Sequence, residues 1–183
     1  SLVSGGLDFD GVDDHLEQTL TLTQPVSIFS AYKAIANDSP VTGSASSSMV
    51  ISRRNSGQYI MFSGTVLATG VHPSTEVLAS CIFDGATSTG HWNGVAILSG
   101  DAGSLSDFDF IGRNSASYLS GTIRELILYE SDQSDNRTAI EANIGETYGI
   151  TGIPAYDNTV DGFVETWYDQ SGNGNDATQA TIA

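Results

Sequence analysis

The chain has 183 residues, enough for one domain that buries a sizeable core without a disulfide framework or a structural metal. It carries 22 Asp and Glu residues against six Lys and Arg, for a formal net charge of -16. This balance argues against nucleic acids and anionic membranes as partners, because affinity for phosphate comes from clusters of Lys and Arg. Ser, Thr and Gly make up one third of the chain, and cysteine and lysine occur once each, as Cys81 and Lys33. This composition favours a protein of the extracellular space, a cell surface or a virion.

Short runs of alternating apolar and polar residues predict strands with one buried face. In chain order these runs are 15–23, 26–34, 49–53, 58–63, 76–83, 91–98, 108–112 and 122–130. Inside the sixth run, Asn93-Gly94 stands between Trp92 and Val95 and predicts a type I′ hairpin, since both central residues of that turn need a positive φ. Many short strands separated by turns are typical of an antiparallel sandwich.

One segment departs from the strand pattern. In residues 134–148, Ile140, Ile144 and Tyr148 recur at intervals of four, Ser134 or Asp135 can cap the start, and Gly149 offers a left-handed stop. A single short helix follows from this spacing. Residues 151–162 lack periodicity and predict a connector, after which 163–183 form a C-terminal strand segment. The organisation we expect is therefore a sandwich at 1–150, a connector and one strand segment, with no apolar stretch near the ~20 residues needed to insert into a membrane.

Three motifs give the chain a family resemblance. The sequence LDFDGVDDHL at 7–16, the Asn-Gly hairpin and the pair FIGR (110–113) and LSGTIRELILY (119–129) resemble, in this order, laminin-G-like domains. The resemblance covers about residues 1–150 and implies an all-β, antiparallel jelly-roll sandwich of the concanavalin A-like kind. The sequence WYDQSGNGND at 167–176 resembles an element of bacteriophage tail and bacterial surface proteins and of some arabinofuranosidase domains.

The order of these motifs differs from that in the relatives, where the SGNG element precedes the opening FDG strand. Three explanations are open: the chain is cut from a tandem array, it is circularly permuted, or its C-terminal strand completes a neighbouring subunit. The last explanation has a physical basis, because a sandwich that lacks an edge strand leaves unpaired backbone groups that a donated strand satisfies. Head-to-tail donation would build a filament. The subunit contact is then expected at Phe163, Trp167 and Tyr168.

Two clusters of oxygen ligands predict a calcium site. One consists of Asp10, Asp13 and Asp14 and the other of Asp169, Asn173 and Asp176, and both lie in glycine-containing turns. Carboxylate and carbonyl oxygens are the ligands that calcium prefers. The resemblance implies that the two clusters meet at one edge of the sandwich and share an ion. The alternative is that Asp-Gly and Asn-Gly pairs only form turns.

Exposed aromatic residues are the candidates for sugar binding. Trp92, Tyr118 and Tyr59 are expected on hairpins or strand faces, although an aromatic residue in a sandwich is more often part of the core. For hydrolysis of glycosides, the nearest pair of carboxylates is Glu130 and Asp132, but these residues stand among turn and cap formers at the start of the helix. Glu125 is expected to be a structural acid.

The function favoured by the sequence is a non-catalytic structural or adhesion module of an extracellular or virion surface, with surface glycans, adjacent modules or other copies of the chain as partners. A self-assembling filament subunit is the second hypothesis. A glycoside hydrolase is the third.

Overall fold

The computed structural model describes residues 2–3, 5–45, 49–54, 56–115, 117–155, 166–167 and 177–178. Within them, two antiparallel sheets pack face to face as a jelly-roll β-sandwich. The first sheet has seven strands, in the spatial order β1 (Leu2–Val3), β2 (Gly6–Asp10), β15 (Ser120–Tyr129), β4 (Val26–Ala34), β9 (Val77–Phe83), β10 (Ser88–Trp92) and β11 (Val95–Gly100).

The second sheet has six strands. Their spatial order is β3 (Leu16–Thr21), β12 (Asp107–Ile111), β5 (Ser39–Gly43), β6 (Val50–Arg53), β7 (Tyr59–Phe62) and β8 (Val66–Thr69). Two small pairs complete the list: β13 (Arg113–Asn114) with β14 (Ser117–Tyr118), and β16 (Thr166–Trp167) with β17 (Ala177–Thr178). A 3-10 turn, Gly85–Thr87, precedes β10.

Alternation along the strands decides which side chains enter the space between the sheets. The side chains buried there include Ile28, Tyr32, Cys81 and Phe83 from the first sheet and Val41, Ile51, Tyr59 and Met61 from the second. Cys81 is fully buried, and its pKa rises to about 12 because burial disfavours the thiolate. The thiol therefore behaves as a small apolar group, as its sequence context predicts.

Helix α1 (Arg137–Tyr148) covers the outer face of the seven-stranded sheet. Its Ile144 is 1% exposed and packs in a cluster with Phe29, Ala31 and Leu78. The helix lies inside the predicted range 134–148 and ends at Gly149, whose φ of 66° confirms the left-handed stop. The predicted cap is wrong: Asn136 precedes the helix without a side-chain cap bond, because residues 134–136 form a turn in which the Asn136 N–H donates to Gln133 O.

Every run predicted from alternation contains a strand, but β4 and β9 are buried on both faces and β3 is almost entirely exposed. The Asn93-Gly94 turn has the expected positive φ at both residues, 45° and 82°. The structure therefore has the fold class that the sequence predicts. The strands outside the predicted runs include β5 and β8. The first contains Pro40, which lacks an N–H, and a register shift next to Pro40 accommodates it.

A buried histidine connects the two sheets through the core. His72 is 1% exposed; the Tyr32 hydroxyl donates to its Nε2 at 2.7 Å, and its Nδ1–H donates to Pro73 O. Burial lowers the pKa of His72 from 6.5 to about 4. Because the pKa of His72 is lower in the folded state than in the unfolded state, the folded state keeps its full stability above about pH 6.5. It loses stability as the pH falls towards 4, where the unfolded chain binds a proton that buried His72 does not.

We expect acidification from about pH 7.5 to about pH 5 to cost the folded state about 2 kcal/mol through His72 alone. His72→Gln is less stable at neutral pH, but its free energy of unfolding falls less on acidification by about that amount, since glutamine does not titrate. Urea unfolding of both proteins at the two pH values measures the difference. Equal losses in the two proteins contradict the assignment.

Candidate functional site

Two of the three predicted sugar-binding aromatics lie in the core. Tyr59 is completely buried, and its hydroxyl lies 2.7 Å from Cys81 Sγ. Trp92 is half-buried and packs against the core, with its ring centre 4.9 Å from that of Tyr59 and 5.3 Å from that of His72. The prediction for Tyr59 is wrong because β7 turns this side chain inward together with Met61. Trp92 likewise contributes its ring to packing.

Tyr118, the third aromatic, lies at the rim of the sandwich in a stack of rings around Arg113. The Arg113 guanidinium carbon is 4.5 Å from the Phe110 ring centre and 5.5 Å from that of Tyr118. The His15 ring meets Tyr118 edge-on at 5.8 Å. Arg113 Nη1 donates to His15 Nε2 at 3.3 Å while His15 Nδ1–H donates to Asp13 O at 2.8 Å, so the proton of a neutral His15 sits on Nδ1.

His15 thereby joins Tyr118 to the acidic turn at residues 10–14. Carboxylate oxygens of Asp10, Asp13 and Asp14 lie within 4.8 Å of one another, and all three residues are exposed. The turn is shaped by its own side chains, because Asp10 Oδ1 accepts the Val12 N–H at 2.7 Å and Asp14 Oδ2 accepts the Asp10 N–H at 3.2 Å.

The spacing of these carboxylates suits one calcium ion, since two oxygens at 2.3–2.6 Å from the same ion are at most about 5 Å apart. The structure therefore brings together the first predicted ligand cluster. Asp169, Asn173 and Asp176, the second cluster, lie outside the described residues, and their meeting with the first stays a prediction. No motif indicates in advance that the acidic turn and Tyr118 are neighbours.

A groove of about 240 Å³ opens on the outward face of the six-stranded sheet, beside this rim. Its floor is largely apolar and consists of outward residues of neighbouring strands: Pro40, Val50, Ile60, Phe62 and Val66, with the polar Ser52 between Pro40 and Ile60. The apolar residues of the floor alternate with Val41, Ile51, Tyr59, Met61 and Leu67, which face the core. Apart from Ser52, the six-stranded sheet is therefore apolar on both faces along the groove.

Polar groups surround the apolar floor. Asp38 and Arg54 lie at one part of the wall, and Asn114 and Ser117, opposite each other in the hairpin β13–β14, form another. Because side chains alternate along this hairpin, Arg113 and Tyr118 lie on one of its faces, in the ring cluster at the rim. Asn114 and Ser117 lie on the other face and line the groove. Asn114 Oδ1 is buried and has no hydrogen-bond partner among the residues that the structure describes. An acceptor in this position can accept a hydrogen bond from a donor group of a ligand.

Sequence reasoning missed the groove because its walls come from loops and strands spread over residues 38–117. One signal was present: Tyr59, Ile60, Met61 and Phe62 are all apolar, whereas a strand that shows its outer face to water usually carries polar residues there.

The carboxylates considered for hydrolysis do not form a catalytic pair. Glu130 and Asp132 are both exposed beyond the end of β15. Asp132 Oδ1 accepts the Ser134 N–H at 2.8 Å and the Ser134 hydroxyl at 2.6 Å, so it organises the turn before α1. Glu125 is half-buried on β15.

The predicted subunit contacts remain predictions. Phe163 and Tyr168 lie outside the described residues. The backbone of Trp167 pairs with Ala177 in β16–β17.

No family model and no curated protein matches this sequence. Solved structures do match. A heptameric SAP-like pentraxin from Limulus polyphemus has a TM-score of 0.52 at 11% identity, over 71% of this chain and 77% of the pentraxin chain. The sialidase of Trypanosoma rangeli has a TM-score of 0.55 at 15% identity, and its complex with sialic acid 0.53 at 11%.

This likeness shows the fold alone. Both neighbours are concanavalin-like jelly-roll sandwiches, which confirms the coarser part of the resemblance drawn from the sequence. The match covers 79% of this chain but only 28% of the sialidase chain. Among the described residues, no helix is long and apolar enough to cross a membrane.

Proposed function

We propose that this protein is a non-catalytic carbohydrate-binding module of an extracellular, cell or virion surface, and that the groove on the six-stranded sheet is its binding site. The observation that carries the proposal is the combination of an apolar floor with a polar wall in one cavity of about 240 Å³. A sugar ring has the matching chemistry, with an apolar C–H face and hydroxyl groups around its edge. The volume is below the roughly 300–1,000 Å³ of sites for drug-sized ligands and suits a single ring.

The polar groups of the wall define what the hydroxyls would meet. Arg54 can donate hydrogen bonds, Asp38 can accept them, and the buried Asn114 Oδ1 has no partner within the described part of the chain. A buried acceptor without a partner costs about 1–3 kcal/mol, so a hydroxyl that donates to Asn114 recovers part of that cost. The mixed wall favours uncharged sugar units, because Asp38 repels an anionic ring that Arg54 would attract.

The same groove favours binding without cleavage. Hydrolysis of a glycoside normally requires two carboxyl groups on either side of the bond, and Asp38 is the one carboxylate among the described residues of the groove lining. The fold neighbours agree with a role in carbohydrate recognition, since one of them is a sialidase solved with sialic acid.

Calcium would support the site from its rim. The acidic turn can offer three carboxylates to an ion. Because His15 and Arg113 link this turn to the hairpin that walls the groove, an ion there would hold the hairpin in place.

Glycan binding is tested on an array of neutral oligosaccharides, followed by titration of the best ligand. We expect Arg54→Ala and Asn114→Ala to weaken binding about tenfold each, which corresponds to about 1.4 kcal/mol. Asp38→Asn is a third groove variant. The matched controls are Lys33→Ala, which removes an exposed cation on β4, and Asp135→Asn, which removes an exposed carboxylate. The proposal is contradicted if the affinity for the glycan is unchanged in all three groove variants. It is also contradicted if no sugar on the array binds.

Calcium binding is tested by thermal unfolding with a chelator and with millimolar calcium. At a concentration about 100 times the dissociation constant, bound calcium adds about 2.7 kcal/mol to the stability of the folded state. Asp13→Asn, which does not disturb the hydrogen bonds of Asp10 and Asp14, should abolish most of this gain. Glu146→Gln, an exposed change on α1, should retain it. An equal effect of calcium on both variants argues against the site.

A further inference from the structure

The polar wall of the groove belongs to a hairpin that is too small to hold its own shape. Its strands β13 and β14 have two residues each, and Asn114 and Ser117 form the pair that lines the groove. A two-stranded hairpin is at best marginally stable on its own in water. The positions of Asn114 and Ser117 must therefore come from contacts between the hairpin and the sandwich.

On one face the hairpin lies directly on the backbone at the end of β5. A Cβ added at Gly43 would be 2.6 Å from Arg113 O and 2.7 Å from Asn114 Cβ, and both distances are too short for a real Cβ atom. The φ of Gly43 is outside the left-handed region, so glycine is needed here for space and not for its backbone freedom. The Ser115 N–H donates to Ser44 O at 3.2 Å, next to this contact.

On the opposite face one guanidinium group connects the hairpin to the rim. Arg113 stacks on Phe110 and Tyr118. Its Nη1 donates to His15 Nε2, and its Nη2 donates to Ser115 O at 3.3 Å. Phe110 lies on β12 and His15 directly precedes β3, whereas Tyr118 and Ser115 belong to the hairpin. A single planar group therefore contacts the strand and the turn of the hairpin as well as the sandwich.

These contacts require the shape of the guanidinium as well as its charge. A planar guanidinium stacks on an aromatic face and donates in two fixed directions, whereas the compact ammonium of a lysine does not combine the two. Arg113 and Gly43 both lie outside the groove lining. Because Arg113 and Asn114 project from opposite faces of one strand, a shift of the stack at the rim moves the groove wall with it.

We propose that Arg113 and Gly43 are positioning residues of the glycan site: they hold β13–β14 against β5 and thereby fix the polar wall relative to the apolar floor. This inference rests on the proposed function, since it names residues that act on that site without touching the sugar. A wall that is in place before the sugar arrives does not have to be ordered on binding. Each side chain that is ordered only on binding lowers the affinity.

The first experiment measures the affinity of Arg113 variants for the best neutral oligosaccharide, with a chelator present so that calcium does not contribute. We expect Arg113→Ala to weaken binding about tenfold, because the wall then has to be ordered when the sugar binds. Arg113→Lys keeps the positive charge and should bind almost as weakly as Arg113→Ala. Millimolar guanidinium ion should restore part of the affinity of Arg113→Ala by filling the space beside Phe110 and Tyr118. It should not restore the affinity of Asn114→Ala.

The second experiment displaces the hairpin from its other face. Gly43→Ala places a Cβ against Arg113 O and Asn114 Cβ and should also weaken binding about tenfold. Gly145→Ala is the matched control, because its Cβ would overlap Ile153 Cδ1 beside α1, on the opposite side of the sandwich from the groove. This control should lose stability but keep its affinity for the sugar.

Amide hydrogen exchange reports on the hairpin independently of any sugar. The Ser115 N–H bonds to Ser44 O, and the Leu119 N–H bonds to Gly112 O at 2.8 Å, so both amides are protected while the hairpin stays in place. In both hairpin variants these two amides should exchange faster than in the unchanged chain. The amides of β4 measure global stability in the same experiment, because core strands open last.

The outcomes separate this inference from the proposed function. If no sugar binds to the unchanged chain, the proposed function is wrong and the positioning role is wrong with it. If the sugar binds and its affinity is unchanged in Arg113→Ala and Gly43→Ala, the proposed function stands and the positioning role is contradicted. A loss of affinity in Gly145→Ala as large as in Gly43→Ala shows that binding follows stability in general, which also overturns the positioning role.

Discussion

Strand β4 is paired along both edges and covered on both faces, and this double burial decides which surfaces remain for function. Its partners are β9 and β15, and eight of its nine residues are buried. The inner face packs on the six-stranded sheet, and the outer face packs under α1 through Phe29 and Ala31. Because α1 covers the seven-stranded sheet, the outer face of the six-stranded sheet is the large sheet surface that stays accessible in the described structure.

The packing of α1 on the sheet buries an ion pair between two of its own residues. Glu141 is 1% exposed and accepts a hydrogen bond from Arg137 Nη1 at 2.6 Å, while none of the described residues bonds to its second oxygen, Oε1. Loss of one member of such a pair leaves an uncompensated charge and is strongly destabilising. The position of α1 therefore depends on this ion pair as well as on apolar packing. It also determines where the chain leaves the helix and reaches Pro154.

The sequence predicts strands such as β7 and β12 because one face of each is more buried than the other, which imposes a period of two. It does equally well for the hairpin at Asn93-Gly94, where backbone geometry leaves few alternatives. It fails for Tyr59, since an aromatic side chain on a strand looks the same in the sequence whether its face points to the core or to a ligand. The direction of a face is a property of the assembled sheets, and no local pattern contains it.

The candidate site shows the same limit in another form. The acidic turn was predictable, because its three aspartates all fall within residues 10–14. The groove was not, because Pro40, Phe62 and Asn114 become neighbours only when three separate hairpins are in place. The role of His15 was equally hidden, because it connects the turn to Arg113 and Tyr118, about 100 residues further along the chain. Short-range chemistry is visible in the sequence, whereas sites built across strands require the fold.

The position of the groove bears on how a weak site can support adhesion. A groove for one sugar ring has few contacts, and binding of a single small ligand is correspondingly weak. The groove lies on the outer face of the six-stranded sheet, where α1 does not cover it. Simultaneous engagement of grooves on several copies with a multivalent glycan would raise the overall affinity by factors of about 10²–10⁴ without any new contact. A surface protein could in this way adhere firmly through sites that are individually weak.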